Sequence, residues 1–142
     1  MSLIYTGGTF DIFHAGHVQF LEKCANLGDV VVALNTDEFV EEYKGQRPVM
    51  TFAERYECLR GCKYVFAIIA NLSGADSKPT IEAVNPDMIV IGDDWLEKDY
   101  CAQMGFTLEW LAERRIELRY VPYTKNISST EIKKRIWTSQ QQ

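Results

Sequence analysis

The chain lacks any run of apolar residues near the roughly 20 needed to cross a bilayer, and no basic, apolar, small-residue leader precedes its first apolar segment. No membrane span is expected, and the expected location is cytoplasmic. It also lacks a Lys/Arg-rich run, and 15 basic against 20 acidic residues leave a formal net charge of −5. Nucleic acid and anionic membrane are therefore not expected partners, and an anionic substrate must be met by local cations. There is no C-x-x-C pair among Cys24, Cys58, Cys62 and Cys101. Cys58 and Cys62 stand four apart on a predicted helix, as half a zinc site would, but both histidines lie together far upstream. The cysteines read as small apolar fillers in a reducing compartment. No repeat or linker divides the sequence, so a single domain over 1–142 is expected, long enough to bury roughly two-thirds of its unfolded surface.

Short apolar runs alternate with helical patterns, which predicts parallel strands joined by crossover helices: an α/β, doubly wound five-stranded sheet with helices on both faces. The strands read as Leu3 to Tyr5, Val30 to Leu34, Tyr64 to Ile69, Met88 to Ile91 and Leu118 to Val121. Val30 to Leu34 and Met88 to Ile91 are apolar without alternation, as in strands covered on both faces. A first helix is expected from about Ala15 to Asn26, and a second from the capping box Thr51-Phe52-Ala53-Glu54 to about Cys62. Pro79 suits the first turn of a short third helix. A fourth runs from Ala102 to Arg115, and Ser128 to Glu131 is a capping box before a terminal Ile132 to Trp137 helix, with Ser139 to Gln142 frayed.

Both histidines fall in one segment, His14-Ala15-Gly16-His17, reached from the first strand through Thr6-Gly7-Gly8. Histidines three apart at a helix start share one face, and the free N–H groups there favour an anion. Gly16 would allow close approach of a ligand, and Gly7-Gly8 a turn with positive φ. A metal half-site or two capping surface residues would give the same spacing. Ligands in such sheets sit at the carboxyl ends of strands. The histidine helix follows strand one, Asp37 strand two, Gly92-Asp93-Asp94-Trp95 strand four and Ile127-Ser128-Ser129-Thr130 strand five, so every candidate lands on one edge.

The run Thr9-Phe10-Asp11-Ile12-Phe13-His14-Ala15-Gly16-His17 resembles the H-x-G-H signature of the nucleotidyltransferase superfamily that holds the cytidylyltransferases, and the likeness extends along nearly the whole chain. Gly92 to Trp95 resembles the G-D-D-W of glycerol-3-phosphate cytidylyltransferases, Pro122 to Thr130 their R-T-E-G-I-S-T-T element, and Lys44-Gly45 before a helix with Glu54-Arg55 the superfamily's mobile lysine loop. The resemblance implies a Rossmann-like fold and a homodimer. As substrates it implies CTP, with Mg²⁺, and a small phosphomonoester, glycerol 3-phosphate foremost. It implies His14, His17 and Lys44 as catalytic residues, and Thr9, Phe10, Gly16, Asp94, Ile127, Ser128, Ser129 and Thr130 as nucleotide contacts. Asp11, Asp37, Arg55 and Trp95 would contact substrate, although Arg55 could equally pair with a carboxylate; Arg47 is a weaker cation for the phosphates.

The chain departs from that pattern at Tyr123, Lys125 and Asn126, where the cytidylyltransferases have arginine, glutamate and glycine. A phosphate-binding charge is missing from its usual place, and Lys125 could compensate. Tyr64-Val65-Phe66-Ala67 replaces Y-V-D-E, removing two acids. Lys44-Gly45-Gln46-Arg47-Pro48-Val49 resembles instead an adenylyltransferase domain that activates heptose 1-phosphate, so ATP with a sugar 1-phosphate is the second expectation. A non-catalytic nucleotide-binding module is the third. A flavodoxin-like redox role leaves the histidines flanking Gly16 unexplained.

Overall fold

A computed structural model describes residues 2–95, 99–124 and 127–141; the Trp95 side chain, Lys125, Asn126 and Gln142 lie outside them. Five strands, β1 (Leu3–Gly8), β2 (Asp29–Asn35), β3 (Ala67–Asn71), β4 (Met88–Gly92) and β5 (Glu117–Val121), form an all-parallel sheet in the order β3-β2-β1-β4-β5. Side chains alternate across a strand, so the apolar runs feed two cores. Ile4, Val30, Val32, Leu34 and Val90 point to one face. There they meet Phe20, Leu21 and Cys24 of α1 (Ala15–Ala25) and Leu59 of α3 (Phe52–Arg60). Tyr5, Ala33, Ile89 and Ile91 point to the other. They pack on Ile81 of α4 (Lys78–Val84), Tyr100 of α5 (Tyr100–Met104) and Leu111 of α6 (Leu108–Glu113). Each fully buried Leu or Ile contributes about 1.5–3 kcal/mol. The doubly wound α/β expectation holds, and no described helix is long and apolar enough to cross a membrane.

Several boundaries differ from the sequence reading. The acidic stretch after β2 forms a helix, α2 (Asp37–Lys44), capped by Thr36 and ended by Gly45 at φ +82°. Its polar composition hid it, because only Val40 is buried. The expected fourth helix is two, broken at Gly105, whose φ of +79° and close approach to the Ala75 carbonyl admit only glycine. β3 starts at Ala67, leaving Tyr64 to Phe66 outside the ladder. The terminal helix α7 spans Ser129–Gln140, so Ser139 and Gln140 are helical rather than frayed. Gly7 and Gly8 are paired residues of β1 opposite Ala33 and Leu34. The positive φ values occur beyond them, at Phe10 (52°) and Ile12 (49°).

Candidate active site

Gly8 leads from β1 into the turn that carries the histidines. His14 is the N-cap of α1, and its Nδ1 accepts from the Gly16 N–H at 3.0 Å. His17 Nδ1 accepts in turn from the His14 N–H at 3.3 Å. This is a reciprocal capping box with histidines in place of the usual Ser and Glu. With Nδ1 of each ring occupied as an acceptor, the proton of each neutral imidazole sits on Nε2, leaving two donors for a ligand. The rings stack at 3.7 Å between centroids, and Phe10 and Phe13 flank His17 at 5.1 and 5.5 Å. Burial lowers the pKa of His14. Burial, reinforced by His14 and opposed by Asp11, pushes His17 down to about 3. Both rings are neutral near pH 7 before a ligand arrives. Gly16 is required beneath them: a Cβ there would stand 2.9 Å from His14 Cε1.

Phe10 and Ile12 are poor residues for a left-handed backbone, at a cost of order 1–3 kcal/mol each. The intervening Asp11 holds the turn. Its buried carboxylate accepts from the N–H groups of Ile12 (3.0 Å), Val49 (2.8 Å) and Met50 (2.9 Å), while its carbonyl accepts from Ser129 Oγ. Arg55, fully buried, makes a second clamp. It donates to Thr9 O (2.9 Å), Asn35 O (2.9 Å), Met50 O (3.1 Å) and Asp37 Oδ1 (2.6 Å). Desolvation works to raise the Asp37 pKa, but the hydrogen bonds of Arg55 and Phe52 N–H and the charges of Arg55 and Arg47 outweigh it and hold it below the usual carboxylate range.

These clamps frame a cavity of about 520 Å³ at the carboxyl ends of β1, β2, β3 and β4, a size that suits a small ligand. On one side stand His14, His17, Asp94, Tyr123, Ser128 and Ser129. Gly92 leaves room for the Asp94 and Tyr123 side chains, since a Cβ there would clash with both. Ser128 Oγ caps α7 by accepting from Glu131 N–H at 3.0 Å, so the first N–H groups of α7 have no intrahelical partner. Ser128 and Ser129 at this helix start line the cavity, where helix polarity favours phosphate. Opposite lie Asn35, Phe39, Tyr43, Lys44 and Asn71. Among the described residues, Lys44 is the one Lys or Arg and Asp94 the one carboxylate on the lining. No three described His, Cys, Asp or Glu side chains form an ion cage. That donor set suits a divalent ion held mainly by a ligand's own phosphates, the usual habit of Mg²⁺.

A model of the "Cytidylyltransferase-like" family matches residues 5–135. The chain belongs to the cytidylyltransferase-like family. It is 35% identical over 137 residues to a glycerol-3-phosphate cytidylyltransferase of Bacillus subtilis, covering 96% of this chain and 98% of that protein. It is 40% identical over 92 residues to an FAD synthase of Thermococcus sibiricus, covering 64% of this chain and 62% of that enzyme's length. The lipopolysaccharide core biosynthesis protein of Thermoplasma volcanium shares the fold, with a TM-score of 0.71 at 24% identity over 88% of this chain and 99% of that one. The protein is thus a nucleotidyltransferase of this family.

Of the residues that a member of this family was expected to use, Thr9, Phe10, His14, His17, Lys44, Asp94, Ser128 and Ser129 line the cavity together. Asp11, Asp37 and Arg55 do not. Their polar atoms bond instead to backbone groups and, between Arg55 and Asp37, to each other. Gly16 serves the His14 ring, with Ile127 packed beside it, and Thr130 is exposed outside the lining. Arg47 pairs with Glu41 at 2.8 Å on the surface. The Trp95 side chain and Lys125 fall outside the described residues. Asn35, Tyr43 and Asn71 line the cavity without having been expected there, and Tyr123 lines it at the position of the missing arginine. Asn35 and Asn71 each end an apolar strand, so the rule that located the other candidates also reaches them.

Proposed function

We propose that the protein transfers CMP from CTP to glycerol 3-phosphate, giving CDP-glycerol and pyrophosphate. The observation that carries this reading is the match to the Bacillus subtilis glycerol-3-phosphate cytidylyltransferase, which runs almost end to end and so spans every wall of the cavity. The acceptor's phosphate is largely dianionic near neutral pH. One of its oxygens bonds to the α-phosphorus of CTP as the bridge from α- to β-phosphate breaks and pyrophosphate leaves, so no side-chain nucleophile or base is needed. Catalysis then rests on positioning and on neutralising charge. In this reading His14 and His17 donate from Nε2 to the phosphates being exchanged, and the polyanion beside them favours their protonated forms. The α7 N-terminus at Ser129 receives the β- and γ-phosphates, and Lys44 supplies the cation. Asp94 accepts from the nucleoside. Mg²⁺, carried on the phosphates, would neutralise the departing pyrophosphate.

Adenylyl transfer from ATP is the second reading, favoured by the 40% match to an FAD synthase and by Tyr123 in place of the cytidylyltransferase arginine. Pyrophosphate release with Mg²⁺ separates the two. CTP and ATP are crossed against glycerol 3-phosphate, ethanolamine phosphate, choline phosphate, a heptose 1-phosphate and FMN. Release with CTP and glycerol 3-phosphate supports the proposal, and release only with ATP replaces it. Binding of nucleotide without release from any pair would leave a non-catalytic nucleotide-binding module.

A further inference from the structure

The groups assigned above to the nucleotide's phosphates, Lys44 apart, lie over β1, β4 and α7, whereas the half of the cavity above β2 and β3 has a different character. Its described lining, Asn35, Phe39, Tyr43, Lys44, Asn71 and Gly74, contains no carboxylate and one cation. A directed chain of hydrogen bonds runs through it. Asn71 Nδ2 donates to the Gly74 carbonyl at 3.2 Å, an oxygen that can only accept, and to Asn35 Oδ1 at 3.1 Å. Asn71 Oδ1 accepts from Thr80 Oγ1 at 3.3 Å. That orientation turns Asn35 Nδ2 to Thr9 Oγ1, to which it donates at 3.1 Å. Thr9 Oγ1 lies 3.2 Å from the Tyr43 hydroxyl. Thr9 Oγ1 keeps its own hydrogen and a second lone pair after accepting from Asn35, so either hydroxyl can donate in this pair; with Thr9 as the donor, the Tyr43 O–H is free to donate into the cavity.

Tyr43 and Lys44 close the last turn of α2, and Gly45 ends the helix immediately after them. Lys44 Nζ stands over the Tyr43 ring, 5.5 Å from its centroid, which places the two donors side by side. We propose that Tyr43 is an acceptor-binding residue whose hydroxyl, aimed by the Asn71–Asn35–Thr9 chain, forms with Lys44 a two-donor clamp on the acceptor's phosphate. This rests on the phosphomonoester reading above and assigns the β2/β3 half to the acceptor. Asn35 and Asn71 act through Tyr43 and are positioning residues. A clamp with no carboxylate beside it suits an uncharged, hydroxylated phosphomonoester better than an amine.

Tyr43→Phe, Asn35→Ala and the double variant test the clamp through separate KM values for glycerol 3-phosphate and CTP. Phenylalanine keeps the packing on Phe39, and Asn35→Ala keeps the backbone carbonyl that Arg55 binds. One hydrogen bond to a charged group predicts a rise in the acceptor KM of about 10- to 100-fold for Tyr43→Phe, with the CTP KM unchanged. Asn35→Ala should raise the acceptor KM less, and add nothing once Tyr43 is Phe. An unchanged acceptor KM in Tyr43→Phe, or an equal rise in both KM values, overturns the clamp while the cytidylyl reading stands. If the wild type releases no pyrophosphate with CTP and any phosphomonoester, that reading fails instead. Calorimetric binding of glycerol 3-phosphate then decides the clamp alone: weaker binding by Tyr43→Phe supports it, and equal binding or none by the wild type overturns it.

Discussion

Replacing Arg55 by Met distinguishes a residue that builds the site from one that touches phosphate. The guanidinium is fully buried and serves four acceptors: the carbonyls of Thr9, Asn35 and Met50 and the Asp37 carboxylate. Methionine fills most of the volume but leaves all four without that donor. Asp37 keeps the Phe52 N–H at 3.2 Å and partial access to water, so its loss is the milder part. Breaking a buried charged pair costs about 3–5 kcal/mol. For a chain of this length, at roughly 3 °C per kcal/mol, the melting midpoint should fall by about 10 °C or more. Changing Asp37 to Asn in the same chain should restore part of the loss by removing the stranded charge, but not all, because three carbonyls still lack a donor. Thermal and urea unfolding report the midpoint, with the KM for CTP measured at a temperature where the variant is folded. A wild-type midpoint with a sharply raised CTP KM would mean that Arg55 binds phosphate directly, and the clamp would be refuted.

The other expectations concern the histidines and the glycine beneath them. His17→Ala should lower turnover by orders of magnitude while circular dichroism still reports a folded protein; a folded, fully active variant removes His17 from the chemistry. Because burial depresses His17 to about 3, the unfolded chain binds its proton more readily than the folded one. Its contribution to stability is therefore complete above pH 6.5 and is lost as pH falls toward 3. At pH 5 the loss is about 2 kcal/mol. Urea midpoints across this range should slope accordingly in the wild type and flatten in His17→Asn; identical slopes would contradict the burial. Gly16→Ala gains helix propensity of up to about 1 kcal/mol but puts a methyl 2.9 Å from His14 Cε1. Activity should fall sharply while stability changes little, and normal activity would show that the His14 ring can move at no cost.

The five parallel strands and the helices on both faces of the sheet were legible because they follow from apolar patterning, which sequence displays directly, whereas the order β3-β2-β1-β4-β5 came from the structure. The cavity residues His14, His17, Asp94 and Ser129 were legible for a related reason: each follows a strand, and the sheet brings those ends together, while Lys44, at the end of α2, was named by its resemblance to the superfamily's lysine loop. Helix α2 was not, because one buried Val40 leaves too little apolar signal. The split of α5 from α6 turned on Gly105, left-handed against the Ala75 carbonyl, and on the Thr107 cap after it, local marks that reading the stretch as one helix passes over.

Asp11 and Arg55 expose the deeper limit. A carboxylate and a guanidinium beside a phosphate-binding motif look like ligands for substrate, yet here most of their partners are main-chain atoms, which have no letter in a sequence. What they do instead is couple the walls of the cavity. The Asp11 carboxylate binds the loop that follows Lys44, its own turn carries His14, and its carbonyl holds Ser129 at the start of α7. Arg55 ties that same loop, through Met50, to Thr9 and to the end of β2. The left-handed Phe10 and Ile12 on either side of Asp11 persist only while those bonds hold. Lysine loop, histidine turn and helix terminus are thus one mechanical unit. Loosening any of the three by mutation should displace the donors of the other two, so substitutions at Asp11 or Arg55 should act on turnover through groups they never touch.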